Sequence, residues 1–108
     1  MRRILILGAG RSAPFLIQRL LEHAAVHDWQ VTVADRDLEL AEKRIAGHPN
    51  GRAIALDASD EQQMASWIGT ADVVANVLAP AFQGRVARLC VEAGVHMVSV
   101  SYLQNETR

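Results

Sequence analysis

Short apolar runs punctuate the chain: ILIL at 4–7, VTVA at 31–34, AIAL at 53–56, DVVANVL at 72–78 and VHMVSV at 95–100. Each is brief and almost continuously apolar, which suits a strand buried on both faces. Between the runs, apolar residues recur at helical spacing. Over 11–25 the stripe is Leu16, Ile17, Leu20, Leu21 and Ala24, and after Asp37 it is Leu38, Ala41 and Ile45. Met64, Trp67 and Ile68 form a third stripe facing the sheet, and Val86, Leu89, Cys90 and Ala93 a fourth. The predicted order is β-α-β-α-β-α-β-α-β. Right-handed crossovers turn it into a doubly wound parallel α/β sheet of five strands, order 3-2-1-4-5.

Punctuating residues support these boundaries. Asp37 is a good N-cap for the second helix, which should end near Gly47, where GHPNG (47–51) concentrates turn formers. Ser59 followed by Gln62 reads as a capping box for the third helix. Pro80 suits the first turn of the fourth, and Gly94 its C-terminal stop.

Composition narrows the class without changing the fold. At 108 residues the chain has room for one domain, 1–108, with a small core. A net charge of −1 from interspersed acids and bases leaves no basic footprint for nucleic acid or an anionic membrane. The apolar runs are too short to span a bilayer, and ILIL stops too soon to be a secretory signal. A lone cysteine, Cys90, can make no internal disulfide, so a cytoplasmic setting is expected.

The candidate chemistry begins at ILILGAGRSAPFL (4–16). In a strand–turn–helix phosphate site the first glycine permits the tight turn. The second admits the pyrophosphate to the backbone, and the third allows close helix packing. Gly8 and Gly10 fill the first two positions, and Ala13 is a tolerated third. Pro14 falls in the first helical turn, where amides lack intrahelical partners anyway. The free N–H groups and the helix dipole there favour a diphosphate, with Ser12 adding a hydroxyl and Arg11 a charge beside it. The second strand ends at Asp35, where an acid can accept from both hydroxyls of an adenosine ribose. Asp35 favours NAD, whereas Arg36 beside it could bind the 2′-phosphate of NADP, so either cofactor is open.

Past the fingerprint, VTVADRDLELAEKRI (31–45), AIALDASDEQQM (53–64) and ADVVANVLAPAFQGRVARLCVEAGVHMVSVSY (71–102) together resemble the cofactor domain of the saccharopine dehydrogenase family. The resemblance runs over nearly the whole chain, with the segments in order. It implies a Rossmann-like domain binding NAD or NADP in an oxidoreductase of lysine metabolism. Hydride passes there between the cofactor and a secondary amine joining two amino acids. It places Gly8, Gly10, Ser12 and Ala13 at the pyrophosphate and Asp35 and Arg36 at the ribose. Asp57 and Ala58 would border the adenine, and Asn76, Val77 and Leu78 would line the nicotinamide half. Ser99, Ser101 and Tyr102 would lie near nicotinamide and substrate. Ala79 before Pro80 and Ser99 in MVSVSY depart from the family's usual forms, which bears on the substrate more than on the cofactor. Only SYLQNETR follows the fifth strand, so a sixth strand and the substrate domain are expected to be absent and the fragment inactive by itself. A homodimer is possible. The competing class is a nucleotide-sensing regulatory module, which shares the glycine turn and the acid after the second strand.

The remaining residues carry less. His23 and His27 have a metal-ligand spacing on one helical face but no third ligand, so no metal site is expected. His48 falls in a turn and His96 opens the last strand. Cys90 and Trp67 read as core residues. No general acid or base is identifiable. Hydride transfer itself asks mainly for positioning, since the cofactor carries the hard chemistry.

Overall fold

The computed structural model describes residues 2–8, 14–57, 59–76 and 83–99. Five strands and four helices alternate: β1 (Arg2–Leu7), α1 (Pro14–His27), β2 (Trp29–Asp35), α2 (Leu38–Ile45), β3 (Gly51–Ala55), α3 (Glu61–Ile68), β4 (Val73–Asn76), α4 (Gln83–Ala93) and β5 (His96–Ser99). The strands pair in parallel in the order β3-β2-β1-β4-β5, as the pattern predicts.

The continuous apolar runs have a simple cause: both faces of the sheet are covered. Ile4 and Ile6 of β1 point to one side with Val31 and Val33 of β2. There they meet Ile17, Leu21 and Ala24 of α1 and Ala41 and Ile45 of α2. Leu5 and Leu7 point to the other side with Ala34 and Val74, against Met64 and Ile68 of α3 and Val86, Leu89 and Cys90 of α4. Cys90 is buried, and that burial pushes its thiol pKa up.

Chain reversals use the expected chemistry in most places. Asp37 caps α2, its side chain accepting from the Leu40 N–H. α2 ends with Ala46 in the left-handed region, φ 53°, and Gly47 follows at φ 74°. α4 closes in a Schellman motif: Val95 N–H donates to the Cys90 carbonyl at 2.8 Å and Gly94 N–H to that of Val91 at 3.2 Å. Gly94 adopts φ 71°, which a side chain would resist.

Three expectations need correction. The cap of α3 is Asp60, not Ser59: Asp60 accepts from the Gln63 N–H, and Ser59 turns back to Asp57. Leu38 is 41% exposed, because the helix begins at that residue and its first turn stands clear of the sheet. Ala93 is exposed, since α4 ends there and leaves the sheet surface. The side chain of Leu16 and all of Pro80 lie outside the described residues.

Candidate functional site

Because every strand is parallel, all five C-terminal ends share one edge of the sheet. β1 and β4 are neighbours there, yet the chain leaves β1 towards β2 and leaves β4 towards β5. Such a switch point is the usual ligand site of an open α/β sheet.

Gly8 stands at this switch point directly after β1. Its φ of 105° is open to glycine and strained for other residues, which explains its identity. Its N–H donates to the Ala34 carbonyl at 2.8 Å and fastens the end of β1 to that of β2. Gly10, Arg11, Ser12 and Ala13 lie outside the described residues; α1 resumes with Pro14 as its first described residue.

The next residue after Ala34, Asp35, closes β2. Its Oδ1 accepts the Asp37 N–H at 2.8 Å, which holds the carboxylate across a tight turn. Asp37 itself caps α2, so the Asp35 carboxylate and the helix start form one corner. Asp35, Arg36, Asp37, Leu38 and Glu39 line an open depression of about 740 Å³. Within it, Arg36 is the single cation among three acids, and exposed Leu38 supplies an apolar surface.

Asp57 follows β3 on the same edge. Its Oδ1 accepts from the Ser59 hydroxyl at 2.6 Å and the Ser59 N–H at 2.9 Å. These bonds, with a smaller attraction from Arg36, hold the Asp57 carboxyl below the usual carboxylate range despite the opposing effect of desolvation. The Asp57 N–H donates to Gln63 Oε1 at 3.0 Å. Ala58 lies outside the described residues.

Asn76 ends β4 fully buried, in register with Leu7 of β1 on one side and Ser99 of β5 on the other. Val77, Leu78, Ser101 and Tyr102 lie outside the described residues. The structure thus brings Gly8, Asp35, Arg36, Asp57, Asn76 and Ser99 to one edge. Sequence reasoning overlooked the second tier of Asp37, Ser59 and Gln63, which hold the acids in place. Their signal was present in the D-x-D at 35–37 and the D-x-S at 57–59, both Asx-turn patterns.

The remaining candidates lie elsewhere. The rings of His23 and His27 stack at 5.9 Å, and that of His27 on Trp29 at 5.0 Å, at the far end of α1. His48 accepts the Asn50 N–H through Nδ1. Among the described residues no group of three His, Cys, Asp or Glu side chains is placed to hold a metal, and no helix is long and apolar enough to cross a membrane.

The family model described as "Saccharopine dehydrogenase NADP binding domain" matches residues 4–108. The chain belongs to this family. It is 32% identical over 104 residues to saccharopine dehydrogenase [NADP(+), L-glutamate-forming] of Schizosaccharomyces pombe, spanning 95% of this chain and 22% of that protein. It is also 32% identical over 80 residues to the alpha-aminoadipic semialdehyde synthase of Arabidopsis thaliana, covering 74% of this chain and 8% of that protein. Among solved structures, apo saccharopine dehydrogenase (L-Glu forming) from Saccharomyces cerevisiae superposes with a TM-score of 0.78 at 28% identity. That superposition covers 94% of this chain and 22% of the yeast chain. This saccharopine dehydrogenase-type domain therefore spans roughly a fifth of the length of its yeast relatives.

Proposed function

We propose that residues 1–108 form the cofactor domain of a saccharopine dehydrogenase-like oxidoreductase. It would bind NAD or NADP across the β1/β4 switch point. The bound nicotinamide supplies hydride chemistry; the chain supplies binding and orientation. The observation that carries the reading is the Gly8–Asp35 corner: a positive-φ turn tied to the end of β2 beside a carboxylate already held by the Asp37 N–H. Such an arrangement fits a diphosphate at the start of α1 and a ribose at Asp35.

In this reading Gly8, Gly10, Arg11, Ser12 and Ala13 cradle the pyrophosphate. Asp35 accepts from the ribose hydroxyls, and Leu38 and the Asp57–Ala58 turn flank the adenine. Asn76, Val77 and Leu78 border the nicotinamide; Ser99, Ser101 and Tyr102 face the amine substrate joining two amino acids. Arg36 offers a 2′-phosphate a cation while the acids around it suit a 2′-hydroxyl, so the corner admits NADP, the coenzyme in the family's description, and NAD as well. The groups that move the substrate's proton belong to a substrate domain outside this chain, so the chain alone binds cofactor without turnover.

Calorimetric titration with NADH and NADPH tests this. Saturable binding of at least one is expected, and Asp35→Ala should shift the NADPH-to-NADH affinity ratio about tenfold towards NADPH by removing a repulsive charge. Absence of saturable binding to the folded chain overturns the binding reading. An unchanged ratio removes Asp35 from the ribose.

A further inference from the structure

The opposite, N-terminal edge of the sheet holds a cavity of about 320 Å³ that the proposed dinucleotide site does not use. Its floor is β1 and β2, where Leu5 pairs with Thr32, and Thr32 pairs in turn with Arg52 of β3. Paired residues of parallel strands share a face, so these side chains stand together on the α3 side of the sheet. α3 covers the C-terminal part of this face with Met64 and Ile68 and leaves the N-terminal part open, walled by Trp67, Thr70 and Ala71. Along β1 the cavity sits at Arg3–Leu5, five residues before Gly8 at its outer end, or roughly 16 Å from the switch point.

The lining has the composition of a ligand site. Thr32 is 7% exposed, and no hydrogen bond engages its hydroxyl among the described residues. The hydroxyl is not sealed in the core, and the residue borders the cavity, so the group is open to a ligand atom. The Arg52 guanidinium lies 5.4 Å from the centre of the Trp67 ring and has no carboxylate partner among the described residues. Thr70 is already committed, donating to the Trp67 carbonyl at 2.7 Å. At the rim, Arg3 is held by Asp72, which accepts its N–H at 2.7 Å and sits 3.8 Å from its Nε. No acid is among the residues lining the cavity. Positive charge, a spare hydroxyl and an aromatic wall thus converge in a space sized for a small organic molecule.

We propose that this cavity binds a small carboxylate with a flat or apolar body. Its carboxylate is taken by Arg52 and the Thr32 hydroxyl, and its body lies along Trp67 and Leu5. Titration of the ¹⁵N-labelled 108-residue chain with benzoate tests the site, with benzamide and inorganic phosphate as comparison probes. Benzoate should shift the Trp67 indole N–H and the Leu5 and Thr32 amides saturably while leaving the Trp29 indole in place. Benzamide should bind about tenfold more weakly, having lost the charge. Arg52→Gln and Thr32→Val should each weaken benzoate about tenfold with unchanged circular dichroism; Thr32→Val keeps the shape of a strand residue and so preserves the fold. Non-saturating shifts, equal affinity for benzamide, or unaltered binding by both variants overturns the proposal. Phosphate binding as tightly as benzoate without moving Trp67 also overturns it, because the site would then be a bare cation patch.

Discussion

At the C-terminal edge of the sheet, carboxylates are held by the backbone: Asp35 by the Asp37 N–H, Asp57 by that of Ser59, Asp60 by that of Gln63. At the N-terminal edge the side chains hold one another. Arg52 of β3 lies over Trp67 of α3, and Arg3 of β1 faces Asp72 just ahead of β4. The first edge is made of local turns and helix starts, each closed within three residues, and so keeps its acids in place through short-range contacts alone. The second depends on partners brought together from distant elements and moves with the packing of the whole domain. A site that must present fixed donors and acceptors to a cofactor gains from the first kind of construction.

Perturbing the shared strand should erase the contrast. Ile6 is fully buried in the middle of β1, so Ile6→Ala should cost about 2–5 kcal/mol and loosen both edges together, read as a lowered urea midpoint. Gly51→Ala should act on the N-terminal edge first. A Cβ there would meet two Ile45 atoms at 2.8 Å and Leu21 at 2.9 Å. About 1–3 kcal/mol of destabilisation is expected, with amide exchange rising around Gly51 and Ile45 before it rises at Gly8. A loss below about 0.5 kcal/mol would mean that α1 and α2 yield freely.

The C-terminal edge should respond to its caps alone. Asp60→Ala should cost about 1 kcal/mol, and Ser59→Ala less than about 0.5 kcal/mol. The reverse ranking in thermal melts would restore Ser59 as the cap. The smallest effect is electrostatic. The Asp57 carboxyl is held low by Ser59, so its charged form adds stability above the unfolded carboxylate range. That contribution fades as pH falls through the depressed folded value. Ser59→Ala should raise the Asp57 pKa, followed by carboxyl ¹³C shifts; an unmoved titration would assign the depression to another group.

The fold was legible because two-sided burial leaves a coarse mark: Ile4 to Leu7 alternate between two cores, so the whole run must be apolar. Asp37 and Gly94 were legible because each is a strong signal standing alone. Ser59 and Asp60 are adjacent cap formers followed by adjacent glutamines, and a pattern cannot resolve a shift of one residue between them. Helical spacing placed Leu38 in the core, but spacing is blind to how far a first turn overhangs the sheet. Asp35 was visible as an acid at a strand end. Its hydrogen bond from Asp37 needed the turn geometry. The cavity at Thr32 was not visible at all, since it arises where α3 stops short of covering three strands.

The Asp35–Arg36–Asp37 corner has a consequence for how such a domain can change over time. The turn needs an acceptor atom at position 35, but it does not need a charge. Asn or Ser there could accept the same N–H and keep the corner closed while removing the charge that, in the proposed cofactor site, would repel a 2′-phosphate. Coenzyme preference can therefore drift between the two dinucleotides through single substitutions that leave the start of α2 standing, so relatives with one architecture need not share one coenzyme.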